Sequence, residues 1–251
     1  MKPVLLLASL IAVGLLALGW RATRATRAAR AAEPEARAHA GVRQEPEARE
    51  QAGARFLALG DSYTIGHGVD SADRWPVQVA GLLRGRGVAL GDPQIIAITG
   101  WTTDELAAGI ARTAPRGPFA LVTLLIGVNN QYRGRGLDEY RLQFRALLAQ
   151  AIGFAGGDAR RVIVVSIPDW GAMPFAEGRD RAQIGHEIDA FNAAGRIEGE
   201  AAGAAFVDIT PVSRERHANW AAPDGLHPSG AQYTAWAALV LAPALRALAT
   251  R

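Results

Sequence analysis

The chain contains no cysteine. That absence removes disulfides, thiolate metal centres, cysteine nucleophiles and lipid attachment through sulfur, while leaving the redox compartment open. Net charge is the second thing the body of the chain lacks. The whole sequence carries 27 Lys and Arg against 24 Asp and Glu, and residues 1–54 hold eight of the cations and five of the anions. Residues 55–251 are therefore neutral, with 19 of each sign. A neutral body offers no basic footprint for nucleic acid, so no nucleic-acid partner is expected. Nucleotide signatures are missing as well. Residues 60–68 are glycine-rich, yet they lack both the Gly-Lys-Ser/Thr ending of a P-loop and the Gly-x-Gly-x-x-Gly spacing. No spacing of His, Asp and Glu compels a metal site.

What is present suits one well-buried domain with an extension left over, since 251 residues are too few for two full domains of ordinary size. The balance of 49% apolar to 20% charged residues is that of a globular protein. Residues 3–20 (PVLLLASLIAVGLLALGW) form an uncharged, mostly apolar run after Lys2. Its length lies between a signal h-region and the roughly 17–25 residues that span a bilayer, so residues 1–20 read as a signal peptide or a membrane anchor. The run has no polar face to meet water, which argues against a buried core helix. The expected location is membrane-associated or exported, with the membrane a partner if the segment is uncleaved. Arg21, Arg24, Arg27 and Arg30 follow it closely and would hold the C-terminal side in the cytoplasm. That conflicts with simple export and leaves sidedness open. Residues 21–54, rich in Ala, Arg and Glu with Pro34 and Pro46, read as a linker, disordered or partly helical.

From Arg55 the texture changes. Short apolar runs at 56–59, 95–98, 119–126, 162–167 and 205–209 alternate with helical patterns at about 75–86, 103–113, 137–155, 181–202 and 230–249. Most of the runs are continuous rather than alternating, as strands covered on both faces are. Thr102-x-x-Glu105 and Ser229-x-x-Gln232 are capping boxes that mark two helix starts, and Trp75-Pro76 marks a third. The expectation is a three-layer α/β/α domain over residues 55–251 with a five-stranded parallel sheet. Right-handed crossovers place all strand C-termini on one edge.

Three polar clusters fall on that edge. Gly60-Asp61-Ser62 follows the first strand, Thr99-Gly100 the second and Gly127-Val128-Asn129-Asn130 the third. A serine hydroxyl there can attack an acyl carbon once a base takes its proton. The oxyanion that forms needs preorganised donors, for which the N–H groups of Ser62 and Gly100 and the side-chain amide of Asn129 are candidates. Asp224 and His227 are three residues apart just before the last helix. That spacing lets the carboxylate hold one imidazole nitrogen while the other faces Ser62.

With these four blocks in order, the sequence resembles the SGNH/GDSL hydrolase family over residues 55–249. Gly60-Asp61-Ser62 matches its nucleophile block, Gly100 its glycine block, Gly127-Val128-Asn129-Asn130 its Gly-x-Asn block and Asp224-x-x-His227 its last block. The resemblance implies a flavodoxin-like fold, a Ser62–His227–Asp224 triad, an oxyanion site at Gly100 and Asn129, no cofactor, and activity on esters, thioesters or acetylated carbohydrates. Two positions depart from the pattern: Tyr63 replaces the leucine of the nickname, and Asn130 stands where many members carry Asp.

Single residues keep competing readings. Asp224-Gly225 is also a turn signal, and Asp208 at the end of the fifth strand competes as the carboxylate. His217 is the alternative base. His67, in a glycine-flanked loop, reads as a lining residue, while His39 and His186 read as surface. Trp101 is a core anchor or a wall of the acyl pocket, with the pocket preferred. Tyr132 and Arg133 touch substrate or belong to a solvated loop. At the level of function, carboxylic ester hydrolysis on a small-molecule or carbohydrate ester stands against acyl transfer to an alcohol and against a non-catalytic binding module on the same fold.

Overall fold

The computed structural model describes residues 53–215 and 217–249. The apolar segment at 3–20 and the linker to residue 52 lie outside them. No helix among the described residues is long and apolar enough to cross a membrane.

Five short strands build one parallel sheet: β1 (Phe56–Gly60), β2 (Gln94–Ala97), β3 (Leu121–Leu125), β4 (Val162–Val165) and β5 (Ala205–Val207). Their order across the sheet is β2-β1-β3-β4-β5. This is the flavodoxin-like order, as expected. The registers Gly60↔Ala97 and Gly60↔Leu125 bring the ends of β2, β1 and β3 level with one another. Every residue of β1, β3 and β4 is buried, which explains why these strands read as unbroken apolar runs rather than alternating ones.

Among the described residues there are eight α-helices in chain order: α1 (Ser62–Ile65), α2 (Trp75–Gly85), α3 (Thr103–Thr113), α4 (Val128–Tyr132), α5 (Leu137–Phe154), α6 (Arg181–Ala201), α7 (Thr210–Arg214) and α8 (Gly230–Ala249). The chain moves one way along the sheet from β1 to β2 and the other way from β2 through β5. Right-handed connections consequently put α2 on one face and α3, α5 and α6 on the other. Helix α8 returns to pack on α2, and α5 packs on both α3 and α6. Trp75 of α2, with Tyr233 and Trp236 of α8, fills the first layer at zero exposure. In the second layer the buried Glu198 of α6 accepts from Arg145 at 2.7 Å and Arg141 at 3.2 Å, tying α6 to α5.

The helix starts follow their local chemistry. Trp75-Pro76 opens α2, where the missing proline N–H has no partner to lose. At α3 both halves of the Thr102–Glu105 box form. At α8 only the serine half forms: Ser229 Oγ accepts from Gln232 N at 3.3 Å, while the Gln232 amide is turned into the core.

Candidate active site

The reversal of strand order at β1 creates the crevice. Ligands of open α/β sheets bind at such a switch point, beyond the strand C-termini. Ser62 follows β1, Gly100 follows β2 and Asn129 follows β3, so three adjacent strands deliver three of the predicted site residues to one edge of the sheet, although Gly100 does not line the cavity at Ser62.

The turn after β1 is tight. A Cβ on Gly60 would run into Thr64 and the Leu125 carbonyl, so only glycine lets the chain turn there. Asp61 caps α1, its Oδ1 accepting from Tyr63 N at 3.0 Å. Ser62 is the first helical residue, an N–H position for which a helix provides no acceptor. Asp61 is completely buried, and desolvation pushes its pKa up to about 7. Tyr63, at the position of departure, packs its ring 5.7 Å from His227 and 6.0 Å from Trp236. It therefore backs the imidazole onto the core.

Asp224 and His227 meet as the spacing implied. Asp224 Oδ1 accepts from Leu226 N and His227 N, each at 2.9 Å, and Oδ2 lies 2.6 Å from His227 Nδ1. The two backbone bonds fix the carboxylate, and the third fixes the ring. Nε2 is left as the nitrogen available to the cavity. Burial lowers the pKa of His227 and outweighs the Asp224 carboxylate that raises it. For Asp224 the balance is reversed: burial raises its pKa, but the hydrogen bonds from His227 and Leu226 bring it below the ordinary carboxylate value.

Asp208 is committed elsewhere. Its carboxylate accepts from Ser166 Oγ at 3.1 Å, Thr210 N at 3.0 Å and Arg196 at 3.2 Å. His217 pairs with Glu215 at 3.2 Å and stacks on Trp220, and it does not line the cavity at Ser62. His186 is exposed on α6.

Gly100 adopts φ +88°, a conformation open to glycine, and its carbonyl accepts from Arg133 at 2.5 Å. Asn129 donates one amide hydrogen to the Trp101 carbonyl at 2.9 Å, which orients the side chain and leaves its second N–H free of that bond. Asn130 has a structural task instead: Oδ1 accepts from Thr103 N at 3.1 Å, and Nδ2 donates to Thr103 Oγ1 at 2.8 Å. These bonds clamp the turn after β3 to the start of α3. The Trp101 ring lies over Gly109 of α3, with Arg112 5.9 Å away, and is not a wall of the cavity.

The cavity itself measures about 150 Å³ and is lined by Ser62, Asn129 and His227 with mainly apolar walls, notably Tyr132, Trp170 and Phe175. Trp170 stands 5.3 Å from the Tyr132 ring and donates Nε1 to Gln131 at 2.8 Å; Gln131 in turn donates to Glu187 at 2.6 Å. The wall is thus pinned to α6. No sequence feature gives a role to Trp170, Phe175, Leu226 or Gln131. None carries a local motif. A half-exposed His67 also reaches the site, its ring 4.6 Å from that of His227.

Solved structures share this architecture. Axe2, an acetylxylan esterase from Geobacillus stearothermophilus, superposes with TM-score 0.57 at 20% identity, covering 79% of this chain and 95% of its own. The lipase Lip_vut3 from a goat rumen metagenome gives TM-score 0.61 at 17% identity, covering 76% and 97%. A lipase/acylhydrolase from Enterococcus faecalis gives 0.54 at 20%, covering 75% and 94%. Identities this low speak for the fold alone. A search of curated proteins found no match. The described chain is a flavodoxin-like α/β protein with its candidate site at the carboxyl edge of the sheet. It belongs to the GDSL-like lipase/acylhydrolase family, whose sequence model matches residues 58–235.

Proposed function

We propose that the protein hydrolyses carboxylic esters, thioesters or O-acetyl groups through an acyl-enzyme on Ser62. The observation that carries this reading is that Ser62, Asn129 and an Asp224-held His227 line one small cavity. Ser62 Oγ bonds to the acyl carbon as its proton passes to His227 Nε2. The tetrahedral oxyanion is held by the N–H groups of Ser62 and Gly100 and by the Asn129 amide. Its collapse breaks the bond to the leaving alcohol, which takes the proton from His227. Water then attacks the acyl-enzyme with His227 as base, the acid departs and Ser62 regains its proton. Asp224 keeps Nδ1 protonated throughout and stabilises the imidazolium. The neutral form that the base needs is favoured by the lowered pKa of His227. A cavity of about 150 Å³ with aromatic walls suits short acyl chains over long ones.

Turnover of p-nitrophenyl acetate and butyrate by the full chain and its Ser62→Ala variant tests the reading. The variant is expected to lose on the order of 10⁴–10⁶ in kcat. Undiminished turnover would remove Ser62 from the chemistry.

A further inference from the structure

We propose that His67, Asp224 and His227 form a binding site for a divalent transition cation of the Zn²⁺ type, and that the bound ion turns hydrolysis off. Both imidazoles direct a nitrogen at the same carboxylate oxygen: Asp224 Oδ2 lies 2.6 Å from His227 Nδ1 and 3.9 Å from His67 Nε2. Donor atoms of the three residues all lie within 4.8 Å of one another. An ion with bonds of about 2.0–2.2 Å to nitrogen and oxygen holds tetrahedral donors about 3.2–3.6 Å apart, so the pair at His227 Nδ1 opens by under about 1 Å and His67 closes slightly as the ion replaces the proton between Nδ1 and Oδ2. The remaining nitrogen of His67, Nδ1, is 3.1 Å from Thr99 Oγ1, the kind of outer hydrogen bond that fixes a metal-binding imidazole in place. The side chains of His67 and Asp224 are 48% and 36% exposed, so an ion enters from solvent and keeps a position for water. Two imidazoles with one carboxylate select a borderline-soft ion over Mg²⁺ or Ca²⁺, which take oxygen donors.

The consequence for the reaction follows from the imidazole itself. A neutral ring that gives its Nδ1 lone pair to a metal carries its single proton on Nε2. His227 then has nothing with which to accept the Ser62 proton. Binding of the ion does not involve Ser62, whereas its effect on turnover rests on the esterase reading. His67 comes from the loop after α1 and the other two donors from the loop before α8, which is why no metal-ligand spacing shows in the sequence.

Full-length wild type, Ser62→Ala, His67→Ala and His227→Ala, freed of metal with a chelator, are titrated with ZnCl₂ by calorimetry, and thermal unfolding is recorded alongside. Wild type and Ser62→Ala are expected to bind one ion per chain, and His67→Ala and His227→Ala to bind at least about tenfold more weakly. Wild-type turnover of p-nitrophenyl acetate is expected to fall in step with occupancy and to return with EDTA, while His67→Ala needs at least about ten times more Zn²⁺ for the same fractional loss. Equal affinity in wild type and His67→Ala, or full occupancy without loss of turnover, overturns the proposal. If His67→Ala shows no melting transition, His67→Gln supplies the comparison. One ion per chain in a protein with no esterase activity would overturn the esterase reading alone.

Discussion

Replacing Asp224 by asparagine should cost far more than the loss of one negative charge. Asp224 Oδ1 accepts two backbone N–H groups at 2.9 Å, so an amide there keeps its oxygen on them and turns its NH₂ toward His227. Nδ1 of His227, 2.6 Å from the replaced atom, must then accept rather than donate. The imidazole proton moves to Nε2, and the base faces Ser62 with no lone pair. A wrong tautomer of this kind lowers kcat by about 10⁴, or about 5.5 kcal/mol of barrier. The Asp224 side chain is 36% exposed, and water competing for Nδ1 limits the loss, so we expect kcat/KM to fall between about 10² and 10⁴. The control is Asp208→Asn. Its carboxylate serves Ser166, Thr210 and Arg196, so turnover should stay within about threefold of wild type. The assay is p-nitrophenyl acetate hydrolysis at neutral pH, with thermal unfolding showing that each variant is folded. Asp224→Asn within tenfold of wild type, or Asp208→Asn as damaging as Asp224→Asn, refutes the assignment.

Asn129→Ala removes the only side-chain donor assigned to the oxyanion and should lower kcat by about 10²–10³ with little change in KM, read from steady-state kinetics. Asn130→Ala leaves Thr103 N without its acceptor, while Thr103 Oγ1 keeps Gln143, and should destabilise the fold by about 1–3 kcal/mol in a denaturant titration; a change below about 0.5 kcal/mol would contradict the clamp. Asp61 predicts a pH dependence of stability. Its folded pKa of about 7 lies above the ordinary 3.8, so between those values the native state holds a proton that the unfolded chain has released. Stability should therefore decline as pH rises through that window, by at most about 4 kcal/mol. Asp61→Asn should abolish this component of the slope, and melting curves at pH 4, 5.5 and 8 check it.

The sheet was legible because burial on both faces leaves nothing for a strand to alternate with, so β1, β3 and β4 stand out as unbroken apolar runs. The longer helices were legible from their own ends, Trp75-Pro76 for α2 and the Thr102 box for α3. The placement of Ser62, Gly100 and Asn129 at one sheet edge followed from topology, since each comes after a strand. Choosing between Asp224 and Asp208 required knowing what Asp208 bonds to, and its Ser166 partner is supplied by another strand's end. Trp101 illustrates the same limit. Its place after Gly100 suggests a pocket wall, but a bare glycine two turns into α3 provides the ring with a flat seat. Trp170 reaches the cavity through Gln131 and Glu187, partners on other elements, so no local pattern announces it. His67 reads as a lining residue from its loop, but its meeting with Asp224 and His227 has no local signal, since these belong to the loop before α8.

In the proposed reaction Ser62 is the group that becomes acylated. Treating the full chain with a fluorophosphonate and mapping the modified peptide by mass spectrometry tests this directly. One adduct per chain is expected, located on Ser62, absent from Ser62→Ala and slowed in Asp224→Asn. A folded protein that takes up no label, or that carries the label on another residue, would contradict it.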